Sequence, residues 1–182
     1  MKIIKPMLAY SVGRKEIDWD EPVFIQPKLD GVRCIFTRDG AYSRTGNTFK
    51  NLEHIEKYLK GFFKKNPNAI LDGELYNHKL KKDFEKIVSL VRKTKPTDLD
   101  RELAKKLVQF HCYDIVGEYG DFNHIVAANA PFEDRDNFIK SNWGSMDKYI
   151  ETVPTHICLC DDYIGVFHKC FLEEGYEGSI IR

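Results

Sequence analysis

The sequence predicts an α+β fold with mixed, mostly antiparallel sheets flanked by helices. Three observations carry that prediction. Strand-like runs occur both as a hairpin, Val32 to Thr37 and Ala41 to Arg44 about Asp39-Gly40, and as single segments lying between helical ones. Apolar residues recur at helical spacing in several stretches, so strands and helices are interspersed along one chain. The 182 residues are 42% hydrophobic and 13% aromatic, enough to bury one domain core and unlike a disordered segment.

Taken in order, Val23-Phe24-Ile25 reads as a strand, and Pro27 removes a ladder donor just before Lys28. Lys28 is therefore expected where the strand leaves its sheet, and an extended backbone would aim Lys28 and Asp30 at one face. After the hairpin, Asn51 reads as the N-cap of a helix carrying Leu52, Ile55, Leu59, Phe62 and Phe63. Asn66-Pro67-Asn68 breaks the chain. Ala69 to Tyr76 is strand-like, and Gly73 inside it marks a bulge or a close approach. Phe84, Ile87, Val88 and Val91 mark a second helix, and Thr97 caps a third with Leu99, Leu103 and Leu107. Val108 to Val116 is a strand, and residues 117 to 131 read as a loop. A helix with Phe138, Ile139, Met146 and Tyr149 follows. Val153 to Leu159 reads as an edge strand carrying Pro154, Tyr163 to Phe171 as the last helix, and Ile180-Ile181 as a final strand. There is no internal repeat and no low-complexity linker.

Formal charge is zero, with 28 basic and 28 acidic residues, so the global balance selects no partner. Locally, Lys57, Lys60, Lys64 and Lys65 form one basic cluster, and Lys79, Lys81, Lys82, Lys86, Arg92, Lys93 and Lys95 another. Both suit a phosphate backbone, and both equally suit the solvated faces of helices. Five cysteines without regular spacing make a poor disulfide framework, and Cys158-Leu159-Cys160 lacks the ligand spacing of a zinc site. Reduced, mostly buried thiols are expected. No apolar run approaches the roughly 18 residues of a membrane span, and the N-terminus has no signal-peptide core. The expectation is a cytoplasmic protein with no membrane partner.

The chemistry-bearing segments begin with Lys28-Leu29-Asp30-Gly31-Val32-Arg33. A lysine that attacks phosphorus must first give up its ammonium proton, and burial or a nearby cation such as Arg33 would favour that. The plainer reading is a surface lysine in a turn. Glu74 and Glu177 are carboxylates suited to magnesium, a hard cation that takes oxygen ligands. Glu74 could equally be a strand-end partner for a lysine, and Glu177 the turn after a helix that Gly175 ends. Tyr113 could stack on a purine or face the core, and the alternation of its strand leaves that open. Arg44 could pair with a phosphate or with a surface carboxylate. His111 has no metal-ligand spacing and reads as structural.

These segments stand in order with Ser43-Arg44-Thr45-Gly46, Leu71-Asp72-Gly73-Glu74-Leu75-Tyr76, Phe110-His111-Cys112-Tyr113-Asp114 and Tyr176-Glu177-Gly178-Ser179-Ile180-Ile181-Arg182. The whole chain resembles the adenylation domain of ATP-dependent DNA ligases, particularly the compact bacteriophage type. Pro6-Met7-Leu8-Ala9 resembles the family's opening segment. The resemblance implies a nucleotidyltransferase (ATP-grasp-like) fold, with ATP as cofactor, AMP as a covalent adduct, and magnesium. It implies that Lys28 becomes attached to AMP, that Arg33 contacts the nucleotide, that Glu74 contacts the ribose, and that the Tyr113 ring packs on adenine. Arg44 would contact a nick phosphate or the nucleotide, and Glu177 would take part in metal-linked chemistry together with Glu74.

One departure concerns Gln26, which stands where many relatives carry a glutamate that reads adenine; an amide both accepts and donates, which bears on base selectivity. The other concerns the end of the chain. Residues 1–182 are expected to form the adenylation domain, without the family's last lysine motif and without the C-terminal oligonucleotide-binding barrel. Weak self-adenylation follows from that expectation. The implied partners are ATP and nicked double-stranded DNA, with the protein a monomer acting in the cytoplasm, that of a host cell if it is phage-encoded. An RNA ligase or mRNA-capping nucleotidyltransferase shares the lysine chemistry, although Ser43-Arg44-Thr45-Gly46 favours DNA ligation. A non-catalytic nucleic-acid-binding fragment is the reading from another class.

Overall fold

Alternation of apolar residues along Val32–Thr37 and Ile70–Tyr76 gives each strand one face that must be buried, and these strands pair at the centre of the larger sheet. The computed structural model describes residues 17–121, 124–126, 130–143 and 148–182, with the backbone alone over 119–121 and 124–126. The chain divides into two compact units. One comprises Gly31–Thr152 in its described part, and the other comprises residues 17–30 and Val153–Arg182.

The larger unit holds strands β2 (Val32–Thr37), β3 (Gly40–Ser43), β4 (Ile70–Tyr76), β5 (Gln109–Val116) and β8 (Ile150–Thr152). Their order is β3-β2-β4-β5-β8, antiparallel except for the parallel β5–β8 pair. Helices α1 (Glu53–Lys65), α2 (Phe84–Val91), α3 (Asp98–Leu107) and α4 (Phe132–Asn142) contribute apolar faces to its core. Ile55, Leu59 and Phe63 of α1 meet Leu71 and Leu75 of β4, all within 8% of full burial. The smaller unit holds β1 (Val23–Lys28), β9 (His156–Cys158), α5 (Asp161–Glu174) and β10 (Gly178–Ile181). Its antiparallel sheet has the order β10-β1-β9. Its core is Val23, Ile25, Cys158, Ile164 and Phe171.

Local chemistry sets several boundaries as expected. Thr97 caps α3 in a capping box with Asp100, each side chain taking the other's backbone N–H. Gly175 ends α5 in the left-handed region at φ 89°. The ladder between β4 and β5 shifts register at Asp72/Gly73, the bulge that Gly73 signalled. A Cβ there would lie 2.4 Å from the His111 carbonyl and 2.6 Å from the Phe110 ring.

Four expectations are corrected. Asn51 does not cap α1, whose N-cap is Leu52; its buried amide donates instead to the carbonyls of Leu90 and Asp100, tying three helices together. Residues 117 to 131 are not all loop: β6 (Tyr119–Asp121) and β7 (His124–Val126) pair antiparallel, once Gly117 has turned the chain at φ 92°. The helix sought from Phe138 to Tyr149 ends at Asn142, where Trp143 goes extended and Tyr149 already precedes β8. Met146 lies outside the described residues. Of the edge strand expected from Val153 to Leu159, only β9 forms, at the edge of its sheet and after Pro154, which withholds a ladder donor; β8, before the proline, belongs to the larger unit. The five cysteines are free, with Cys34, Cys112 and Cys158 buried and Cys160 and Cys170 exposed. Among the described residues no helix is long and apolar enough to cross a membrane.

Candidate active site

In the smaller unit, β1 carries Gln26 and Lys28 and pairs with β10 through Gln26↔Ile180 and Lys28↔Gly178. The partner β9 covers β1 only from Val23 to Ile25, so among the described residues the end of β1 has a strand neighbour on one side alone. Lys28 accordingly sits at the strand's end with its side chain 42% exposed, paired to Glu177 through Nζ and Oε1. It is therefore not the deeply buried amine that the chemistry led us to expect. The backbone enforces the pairing. After Gly175, Tyr176 N–H donates to Phe171 O at 2.9 Å, and Glu177 N–H donates to Lys28 O at 3.0 Å. The glycine that ends α5 thus delivers Glu177 to the lysine.

Gln26 is 2% exposed, and both ends of its amide are engaged. Its Nε2 donates to Thr155 Oγ1 at 2.9 Å, and its Oε1 accepts from Arg182 Nε at 3.2 Å. Neither partner was foreseeable from spacing, because 129 and 156 residues separate them from Gln26.

In the larger unit, Arg33, Asp72, Glu74 and Tyr113 share one face of the sheet. Arg33 pairs with Glu74 across the β2–β4 ladder, and Asp72 lies two residues before Glu74 on the same side. Arg33 grips Asp72 with both arms, Nε to Oδ1 at 3.0 Å and Nη2 to Oδ2 at 2.5 Å. Burial, the largest influence on the guanidinium, would by itself ease loss of its proton. The Asp72 hydrogen bond, with Tyr113 and the carboxylates of Asp72 and Glu74 close by, outweighs it and raises the Arg33 pKa. The Tyr113 hydroxyl donates to Asp72 Oδ1 at 3.3 Å, and its ring lies 5.7 Å from the Arg33 guanidinium carbon.

The bulge resolves which way Tyr113 points. Cys112 opposes Gly73 and Asp114 opposes Asp72, so Tyr113 is the extra residue on β5. Phe110, Cys112 and Ile115 all enter the core, a parity that strict alternation would forbid. Tyr113 is left on the opposite face, with Arg33 and Asp72. Sequence reading missed Asp72 as a site residue, although its i, i+2 relation to Glu74 was the available signal.

Gly31 belongs to this unit, and its lack of a side chain is required. A Cβ would lie 2.5 Å from Glu74 Cγ and 2.6 Å from the Leu75 carbonyl oxygen. Arg44 stands apart, exposed in the turn that Gly46 closes at φ 84° with its N–H on Ser43 O. Among the described residues, Arg44 makes no hydrogen bond or ion pair with the Arg33 network. His111 opposes Glu74 on β5 and is buried; desolvation and the neighbouring His78 lower its pKa to about 3, so it is neutral. The basic clusters are partly committed: Lys93 bonds Asp100 at 2.7 Å and Lys81 bonds His78 at 3.2 Å. Lys57, Lys60 and Lys64 line a cleft of about 700 Å³ beside the β2–β3 hairpin, and none of the candidate site residues lines it. The Pro6–Ala9 segment lies outside the described residues.

The family model described as "ATP dependent DNA ligase domain" matches residues 6–182. No curated protein matches the chain. Among solved structures, Chlorella virus DNA ligase-adenylate superposes with TM-score 0.68 at 17% identity, covering 99% of this chain and 61% of that one. A Lig E DNA ligase gives TM-score 0.67 at 21% identity, covering 96% and 60%. An archaeal ATP-dependent RNA ligase gives 0.58 at 13%, covering 88% and 39%. This chain thus spans about three fifths of the two DNA ligases' length. The fold is that of the ligase nucleotidyltransferase domain, and the chain belongs to the ATP-dependent DNA ligase domain family.

Proposed function

We propose that this chain is the adenylation domain of an ATP-dependent DNA ligase and that Lys28 carries the nucleotide. The observation that supports this most is the meeting of two distant motif segments on one ladder, with Lys28 against Glu177 and Gly178. In the paired state Lys28 is an ammonium and cannot attack. Adenylation requires the amine to give up a proton, for which Glu177 is the adjacent carboxylate, and then to turn its lone pair away from Glu177. The amine lone pair then attacks the α-phosphorus of ATP, a P–N bond forms, the bond to the bridging oxygen breaks, and pyrophosphate departs.

Each remaining residue has a role that suits its setting. The Tyr113 ring stacks on adenine, held at its hydroxyl by Asp72. Arg33, fixed by Asp72, faces the nucleotide with Glu74, which takes the ribose hydroxyls. Gln26 presents a preset amide to the base, oriented by Thr155 and Arg182. Arg44 and the Lys57–Lys60–Lys64 cleft meet phosphates of the nicked duplex. Among the described residues no cluster of three or more His, Cys, Asp or Glu side chains could hold a metal by itself. Magnesium is commonly held by one or two carboxylates together with substrate phosphates. Glu177 and Glu74 are the carboxylates that would hold it, and it would neutralise charge on the phosphoryl oxygens.

AMP next passes to the 5′-phosphate of a DNA nick, and the 3′-hydroxyl displaces it to close the strand, in a monomer acting in the cytoplasm. The likeness to an archaeal RNA ligase keeps RNA joining as a second reading. Labelled nucleotides separate the chemistry. Protein-bound label is expected from ATP labelled at the α-phosphate, absent with γ-label and absent with GTP. Retention of γ-label would contradict nucleotidyl transfer, and GTP labelling would favour a capping enzyme. Transfer of the bound AMP to nicked DNA but not to nicked RNA is expected; the reverse would establish the second reading.

A further inference from the structure

Tyr113 owes its direction to a bulge, and the bulge is clamped from α4. Asp114, the next residue, is 7% exposed and takes three N–H groups. Its Oδ1 accepts from Arg135 Nε at 2.7 Å and from the backbone N–H of Ile115 at 2.8 Å, and its Oδ2 accepts from Arg135 Nη2 at 3.2 Å. Arg135 is itself fixed. Its Nη1 donates to the Ala130 carbonyl, and its guanidinium lies 5.5 Å over the Phe132 ring. A bulged residue has no ladder partner of its own, so its direction depends on the residues flanking it. On one side Cys112 is locked opposite Gly73; on the other, Asp114 is locked by Arg135. Without Arg135, a buried carboxylate would lose its counter-charge and turn toward water, carrying the bulge with it. The Tyr113–Asp72 hydrogen bond, at 3.3 Å, is a weak restraint against that movement.

We propose that Arg135 is a positioning residue for nucleotide binding, acting through Asp114 and the β5 bulge on the Tyr113 ring. This rests on the reading of Tyr113 as the adenine-stacking residue. Two measurements on the full chain test it: hydrogen exchange at the amides of Cys112 to Ile115, and binding of labelled ATP by equilibrium dialysis without magnesium. Arg135→Met is expected to speed that exchange and weaken ATP binding about five- to tenfold, the size of one aromatic stacking contact. Arg135→Lys is expected to recover part of the loss. In a Tyr113→Ala background, Arg135→Met should cost no further affinity, because both changes remove one contact.

Unchanged exchange overturns the proposal, as does an equal loss of affinity with and without Tyr113. Faster exchange with full ATP affinity also overturns it, leaving the nucleotide reading intact. An unmodified chain that binds no ATP overturns the nucleotide reading and the proposal together. If Arg135→Met does not fold, Asp114→Asn, which keeps shape and loses charge, carries the same expectations.

Discussion

The two units differ in how they hold their functional side chains. In the larger, a core of 22 buried residues among the described ones supports a five-stranded sheet, and Arg33, Asp72 and Tyr113 on its site face are tied into one network. In the smaller, five buried residues among the described ones support three strands, and Lys28 pairs with Glu177 where both side chains are more than 40% exposed. Ile157, Leu159 and Val166 of this unit are also at least half exposed. The difference fits a division of labour. Under the proposed function, a nucleotide reader gains from rigid, preset geometry, whereas an amine that must shed a partner and a proton needs freedom to move.

Core truncation gives the largest expected contrast. Leu71→Ala should cost about 3 kcal/mol or more, since Leu71 is fully buried in the larger core; Ile164→Ala, at 8% exposure in the thin core, should cost about 2 kcal/mol or less. Urea unfolding measures both, and equal losses would erase the distinction between the units. Ion pairs come next. Asp72→Asn removes the carboxylate from a largely buried Arg33 and should cost about 2–3 kcal/mol. Glu177→Gln breaks an exposed pair and should cost less than about 1 kcal/mol. A larger loss from Glu177→Gln would mean that the pair is structural.

Acid stability adds a smaller, graded effect in the larger unit. Burial, with the charge of His78 beside it, holds the His111 pKa at about 3 against 6.5 when unfolded. Between those values the unfolded chain binds a proton that the folded chain refuses, so this contribution is complete above 6.5 and declines as pH falls toward 3. The slope reaches at most about 1.4 kcal/mol per pH unit. His111→Gln should remove that part of the pH dependence, seen as the difference between two stability profiles. The smallest effect concerns the α3 cap: Thr97→Ala should lower stability by about 1 kcal/mol, leaving ATP binding unchanged.

What could be read from sequence was local. Thr97, Gly175 and Gly73 each impose a conformation through their own chemistry, and each was found where expected. Lys28 and Glu177 were marked by motif order, though their contact needed the fold. What escaped was non-local. Gln26 is set by Thr155 and Arg182 from the far end of the chain, and Asn51 serves carbonyls of two later helices rather than its own. Tyr113 could not be assigned a face because parity along β5 changes only when the strand is paired with β4. Pro154 was visible, but not that the strands on either side of it belong to different sheets.

The central claim is that the Lys28 amine is the temporary carrier of AMP. Peptide mapping by mass spectrometry after long incubation with ATP and magnesium tests it most directly. The account predicts one AMP on the peptide containing Lys28, as an acid-labile phosphoramidate, and none on the Lys28→Ala or Lys28→Arg chain. AMP on another residue, or undiminished labelling of Lys28→Ala, would contradict it.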